Sequence, residues 1–108
     1  MSTFAALGIK KPFIQSIKEL GINTPSEIQQ KAIPILLDKR TDFVGLAQTG
    51  TGKTAAFGLP IVQQIDPNNT AVQALILSPT RELVQQIKKQ LFKYTKHYDA
   101  KVFVEAVY

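Results

Sequence analysis

The sequence has no cysteine, no tryptophan, one histidine and one methionine. Without cysteine there is no disulfide framework and no thiolate metal site, and His97 by itself cannot assemble a zinc centre. The lack of cysteine fits a reducing compartment, and the cytoplasm is the expected location. No apolar run approaches the roughly 20 residues that a membrane-spanning helix needs, so no membrane partner is expected. The opening Met1-Ser2-Thr3-Phe4 lacks the basic and long apolar segments of a secretory signal. Acidic residues are also scarce: 8 against 13 Lys and Arg, for a net charge of +5. That balance leans toward a polyanionic partner, with a merely solubilising surface as the competing reading. The 108 residues, 44% hydrophobic and 19% charged, suit one modest globular core with no internal domain boundary.

What is present is organised around Ala47-Gln48-Thr49-Gly50-Thr51-Gly52-Lys53-Thr54. A short apolar run, Phe43 to Leu46, precedes it and a helix-permissive run, Ala55-Ala56-Phe57, follows. Strand, glycine-rich turn and helix are the context in which Gly-Lys-Thr binds phosphate. Glycines let backbone N–H groups curl around a polyphosphate, and the helix start adds free N–H groups and its dipole. Lys53 is expected to reach the β- and γ-phosphates and the Thr54 hydroxyl to ligate Mg²⁺. The first glycine of the general pattern is Ala47 here. The competing reading is an ordinary strand-to-helix turn with a surface lysine.

The remaining chain reads as helix, helix, strand, helix, strand, helix, strand. Residues 1–8 are expected to be irregular. Phe13, Ile14, Ile17 and Leu20 recur at helical spacing over 9–20, with Gly21 as a stop. Thr24 as N-cap, Pro25 at the first helical position and Glu27 as capping partner predict a second helix. It carries Ile28, Ala32 and Ile35/Leu36 inward, with a kink or an interruption at Pro34. On helix logic Gln29 is an amide on a partly exposed face. A helix from about Lys53 to Ile65 is expected, with a kink or an early end at Pro60. Val72 to Leu77 is a buried parallel strand and Lys101 to Tyr108 another. Between them a helix runs from Glu82 to about Tyr98. Leu83, Val84, Ile87, Leu91 and Tyr94 form its buried stripe, and Lys88, Lys89, Lys93 and Lys96 its solvated side. Alternating strands and helices predict an α/β fold with a parallel sheet flanked by helices.

Three stretches, Gly21 to Gln29, Ala47 to Thr54 and Pro79-Thr80-Arg81-Glu82-Leu83, together resemble the start of the DEAD-box family of ATP-dependent RNA helicases. Phe4 matches that family's isolated upstream aromatic, and Ala47 is the family's usual residue. The resemblance runs from Phe4 to Tyr108. It implies an incomplete P-loop NTPase (RecA-like) fold, the amino-terminal part of the first helicase domain over residues 1–108. ATP with Mg²⁺ is the implied cofactor and RNA the implied partner, in a monomeric parent. The nucleotide would be held by Phe4, Ser26, Gln29, Gln48, Thr49, Gly50, Thr51, Gly52, Lys53 and Thr54. Gln29 would read the adenine edge, donor and acceptor together. Phe4 would stack on the ring, and the Ser26 hydroxyl would tie this segment to the phosphate loop. Lys53 and Thr54 would serve catalysis, Thr54 also the metal. Pro79, Thr80 and Arg81 would touch the RNA backbone, although Thr80 also reads as a plain N-cap.

The family's Asp-Glu-Ala-Asp and Ser-Ala-Thr motifs and its second RecA-like domain are absent from these residues. The chain is therefore expected to bind ATP without hydrolysing it, while the parent unwinds or remodels RNA duplexes. Strands that would neighbour 43–46 in the family's sheet are also absent, so marginal stability is expected. Two further readings are a DNA helicase or translocase, and a nucleotide- or RNA-binding module without catalysis.

Overall fold

The computed structural model describes residues 3–38 and 52–107. The predicted strand at 43–46 and most of the phosphate loop, Ala47 to Thr51, lie outside the described residues. Five helices are seen among those described: α1 (Phe4–Leu7), α2 (Lys11–Glu19), α3 (Glu27–Asp38), α4 (Gly52–Gln64) and α5 (Arg81–Tyr94).

α1 replaces the irregular start expected from the sequence. The Thr3 hydroxyl caps it by accepting from the Ala6 N–H at 3.1 Å, and Gly8, at φ 105°, turns the chain out of it. α2 starts with Pro12 in its first turn, where a missing N–H costs nothing. It buries Phe13 and Ile17 as expected, but Leu20 is exposed. α3 and α4 both run through their prolines rather than stopping. Pro34 leaves the Gln30 carbonyl without its helical partner, and Gln30 is exposed, so water can serve it. Pro60 lies in the fully buried interior, where ring burial offsets the lost bond.

The buried stripe of α3 is Gln29, Ala32 and Ile33, not Ile28, Ala32 and Ile35/Leu36. The helix is rotated from the expected face because Gln29 is bonded inward, as described below. In α5 only Leu91 and Tyr94 are fully buried; Val84 and Ile87 are half-buried and Leu83 is exposed. The core joins Phe4, Ile9, Phe13, Ile17, Ile33, Ala55, Leu59, Val62, Leu91 and Tyr94. Burial pushes the Tyr94 hydroxyl up to about 12.

Glutamine amides fasten the helices. Gln63 accepts from the Lys10 N–H at 2.8 Å and donates to the Gly8 carbonyl at 2.9 Å, pinning the α1–α2 turn to the end of α4. Gln64 donates to the carbonyls of Leu36 and Pro60, each at 3.0 Å. With Gln29 joining the opposite ends, α3 and α4 lie side by side and run in the same direction. At the far side, the His97 N–H donates to the Ser16 hydroxyl at 3.1 Å and His97 Nε2 lies 2.7 Å from Glu19 Oε2, holding α2 to the end of α5.

No strand pairing is seen among the described residues. Residues 72–78 and 101–107 form no helix and pair with no strand among the described residues, with Val72, Leu75, Leu77, Phe103 and Val107 exposed. Residues 101–107 alternate exposed and half-buried, the period of a strand. A strand needs a neighbour for its hydrogen bonds, whereas a helix makes its own, and this is why only the helices of the expected pattern appear complete.

Candidate nucleotide-binding site

The site is built where α3 and α4 begin. The sequence Ser26-Glu27-Ile28-Gln29 closes a capping box. The Ser26 hydroxyl accepts from the Gln29 N–H at a long 3.4 Å, and the Gln29 side-chain oxygen accepts from the Ser26 N–H at 2.9 Å. The cap is thus Ser26, not Thr24, and its partner is Gln29, not Glu27. The Ser-x-x-Gln spacing carried that signal.

Gln29 does more than cap. Its Nε2 donates to the Gly52 carbonyl at 3.0 Å, on the first residue of α4. At 2% exposure it is a buried, satisfied amide rather than a half-exposed surface group. Gln29 thus ties this segment to the start of α4, while most of the phosphate loop that the Ser26 hydroxyl is expected to reach lies outside the described residues. Ser26 stands against the same junction: a Cβ on Gly52 would sit 3.2 Å from its Oγ and 3.3 Å from Gln29 Nε2. Position 52 thus requires close approach of the backbone, which explains a glycine there.

Beside this junction lies a cavity of about 330 Å³ lined by Gly21, Ile22, Asn23, Thr24, Ser26, Gln29 and Gly52. It lies within the size range of small-ligand sites, which run from about 300 Å³ upward. Its walls are the stretch from Gly21 to Gln29 and the start of α4, so one cavity touches two of the sequence motifs. A larger, open depression of about 600 Å³ lies at the other ends of α3 and α4, against Leu7, Lys10, Leu37 and Gln63, and holds none of the motif residues.

Lys53 and Thr54 occupy the first turn of α4 and are half-buried. The unpaired N–H groups of that turn and the helix dipole favour an anion there. One hydroxyl from Thr54 suits Mg²⁺, which keeps several waters and takes few protein ligands. Gln48, Thr49, Gly50 and Thr51 lie outside the described residues. Phe4 stands apart: at 3% exposure its ring is enclosed in the core and offers no open face for stacking. The physical cause is its place at the start of α1, which folds onto the core.

Pro79, Thr80 and Arg81 are exposed at the start of α5. The Thr80 hydroxyl accepts from the Leu83 N–H at 3.1 Å, so it serves as the N-cap. Among the described residues no cluster of His, Asp and Glu is arranged to hold a metal.

The family model for DEAD/DEAH box helicases matches residues 26–108, from the capping serine to the end of the chain. The chain belongs to the DEAD/DEAH box helicase family. It is 50% identical over 96 residues to the ATP-dependent RNA helicase DeaD of Klebsiella pneumoniae, covering 89% of this chain and 15% of that protein. It is 45% identical over 108 residues to the ATP-dependent RNA helicase CshA of Listeria monocytogenes, covering 100% of this chain and 20% of that protein. Among solved structures, S. cerevisiae Dbp5 bound to RNA and ADP BeF3 superposes with a TM-score of 0.83 at 28% identity, over 99% of this chain and 30% of that one. The chain thus spans about a fifth or less of the curated relatives it matches. Its fold class is the RecA-like α/β class of these helicases, present in part: the described residues supply the helices.

Proposed function

We propose that this chain carries the adenine- and phosphate-binding portion of an ATP-dependent RNA helicase, whose parent couples ATP hydrolysis to unwinding or remodelling of RNA duplexes. The observation that carries the reading is the Gln29–Gly52 bond at 3.0 Å, which joins the cavity wall to the start of α4. After its bonds to Ser26 and Gly52, the Gln29 amide keeps one N–H and one oxygen lone pair. Adenine asks for one donor and one acceptor on one edge, and guanine presents a different pattern. The base occupies the cavity beside Gln29. The phosphates meet the first turn of α4, where Lys53 supplies positive charge and the Thr54 hydroxyl holds Mg²⁺. The metal neutralises phosphate charge when bound. Pro79, Thr80 and Arg81 contact the RNA backbone at the start of α5, a helix N-terminus with an exposed cation.

The 108 residues contain no Asp-Glu-Ala-Asp stretch, so the chain as given binds nucleotide without cleaving it. Titration of the chain with Mg-ADP and Mg-GDP tests the site. ADP is expected to bind more tightly, and the preference is expected to shrink in Gln29→Ala. Equal ADP and GDP affinities in the unsubstituted chain, or an undiminished preference in the variant, remove the adenine role. RNA and DNA oligonucleotides compared side by side test the substrate class, and binding to DNA alone overturns the choice of RNA.

A further inference from the structure

The outward face of α5 is a basic surface with an aromatic set into it. Phe92 is 71% exposed and points away from the side that buries Leu91 and Tyr94. Lys88 and Lys89 precede it by one helical turn, Lys93 adjoins it and Lys96 follows one turn later. Among the described residues, no carboxylate lies within ion-pair distance of Lys88, Lys89 or Lys93. Lys96 shares Glu19 with His97. The acidic residue of α5, Glu82, sits in the first turn, about 15 Å along the axis from Phe92. Gln85 and Gln86, exposed on the same helix, add adaptable donors and acceptors.

We propose that this face, centred on Phe92 with Lys88, Lys89 and Lys93, is a docking surface for single-stranded RNA, separate from the contact at Pro79 to Arg81. Its choice of RNA rests on the function proposed above; its shape and charge do not. A single strand offers both things the surface offers to receive: a row of phosphates for the lysines and an unstacked base for the ring. A duplex hides its base faces. An acidic peptide matches the charge but leaves the ring without a stacking partner. An anionic membrane favours a broad apolar face, and here the outward apolar residue amid the lysines is Phe92. The surface continues the axis of α5 from Arg81, about 16 Å away, so one strand can follow the helix from its start to Phe92.

The test is fluorescence anisotropy of a labelled twelve-nucleotide oligo-U with the 108-residue chain, over a salt series. Phe92, Lys89 and Lys93 are exposed and Lys88 is half-buried at the edge of the face, and retained far-UV circular dichroism and Mg-ADP binding report that each variant is folded. Phe92→Ala is expected to weaken single-strand binding about tenfold while leaving a duplex of the same length unaffected. The combined Lys88→Gln, Lys89→Gln and Lys93→Gln variant is expected to flatten the slope of log K against log salt by about 2. If these variants bind oligo-U as the parent chain does while Arg81→Ala weakens it, the α5 surface is refuted and the proposed function stands. If Mg-ADP binds but no variant, Arg81→Ala included, alters RNA binding, both the surface and the RNA contact at Arg81 fail. If polyglutamate competes as well as oligo-U and Phe92→Ala has no effect, the surface is an acidic-protein site and the proposal is overturned.

Discussion

Gln29→Ala removes the group on which the candidate site turns. The side chain is 2% exposed and makes two bonds, from the Ser26 N–H at 2.9 Å and to the Gly52 carbonyl at 3.0 Å. Truncation strands one donor and one acceptor. A buried polar group left without its partner costs about 1–3 kcal/mol, and the adjoining cavity of about 330 Å³ admits water, which favours the low end for each. The sum is about 2–4 kcal/mol, a large share of the 5–15 kcal/mol typical of a folded domain. In urea, with a slope of about 2 kcal/mol/M, the midpoint is expected to fall by about 1–2 M at unchanged slope.

Gln29→Glu separates the two bonds. The introduced carboxylate still accepts from the Ser26 N–H, but it sets an oxygen against the Gly52 carbonyl, which needs a donor. Only the protonated acid restores that donor. Burial and the Gly52 carbonyl therefore raise the introduced carboxyl above the usual value of about 4.3, against the smaller opposing pull of one N–H. A raised folded-state value places the intact contact at low pH and loses it as pH rises through that value. The stability gap between Gln29→Glu and the parent chain is thus expected to be small near pH 4 and wide at pH 7. Equal urea midpoints at pH 7 would refute the argument that donation to Gly52 fixes the junction.

Three other outcomes are expected. Gly58→Ala would set a Cβ 2.8 Å from Leu91 Cδ2 and 3.1 Å from Tyr94 Cε2, where α4 meets α5. Overpacking of about 1–3 kcal/mol exceeds the roughly 1 kcal/mol that alanine gains over glycine in a helix, so the thermal midpoint should drop by several degrees. A rise would show that Leu91 and Tyr94 yield freely. The Glu19 carboxyl is held below its ordinary value, first by its hydrogen bond with His97. Its contribution is present above the unfolded value and lost as pH falls through the lower folded one. Glu19→Gln should therefore flatten the loss of stability on acidification below about pH 4.5. Identical acid titrations of the two chains would dismiss the pair. Lys53→Ala should weaken Mg-ADP binding about 10- to 100-fold by titration calorimetry, with far-UV circular dichroism unchanged. Undiminished affinity would remove Lys53 from the phosphate site.

The four longer helices are legible because each carries its own signals, whereas α1 is not. Thr80 before Arg81-Glu82 marks an N-cap, and Phe13 with Ile17 marks a buried face. The family was legible from three short stretches whose order no single-helix argument explains. Gln29 was misjudged because a polar residue was assigned to the surface by type. The Ser26-to-Gln29 spacing pointed inward, and the inward bond rotated the buried stripe of α3 by one residue. Gln63 and Gln64 gave no local signal at all. Their partners, Gly8, Lys10 and Leu36, are distant in sequence, and periodicity is blind to such pairs. For Phe4 the resemblance implies stacking on adenine, whereas one helical turn and a Thr3 cap suffice to fold its ring onto the core.

The unpaired segments and the candidate site obey different physics. Residues 101–107 show strand-like alternation, and Leu75 and Leu77 are apolar enough for a sheet interior, yet no ladder is closed among the described residues. A ladder is a property of two segments, and each lacks meaning without the other. The junction at Gln29 needs no ladder. It is made by the capping box of α3 and the first carbonyl of α4, and the same two helices are fastened again at their far ends by Gln64. Those two fastenings fix the direction of α4, and with it the direction of the dipole and free N–H groups that meet a phosphate. Among the described residues, the cavity wall and the phosphate end are therefore held in register by helices. Where a nucleotide would lie is thus set by the α3–α4 pair.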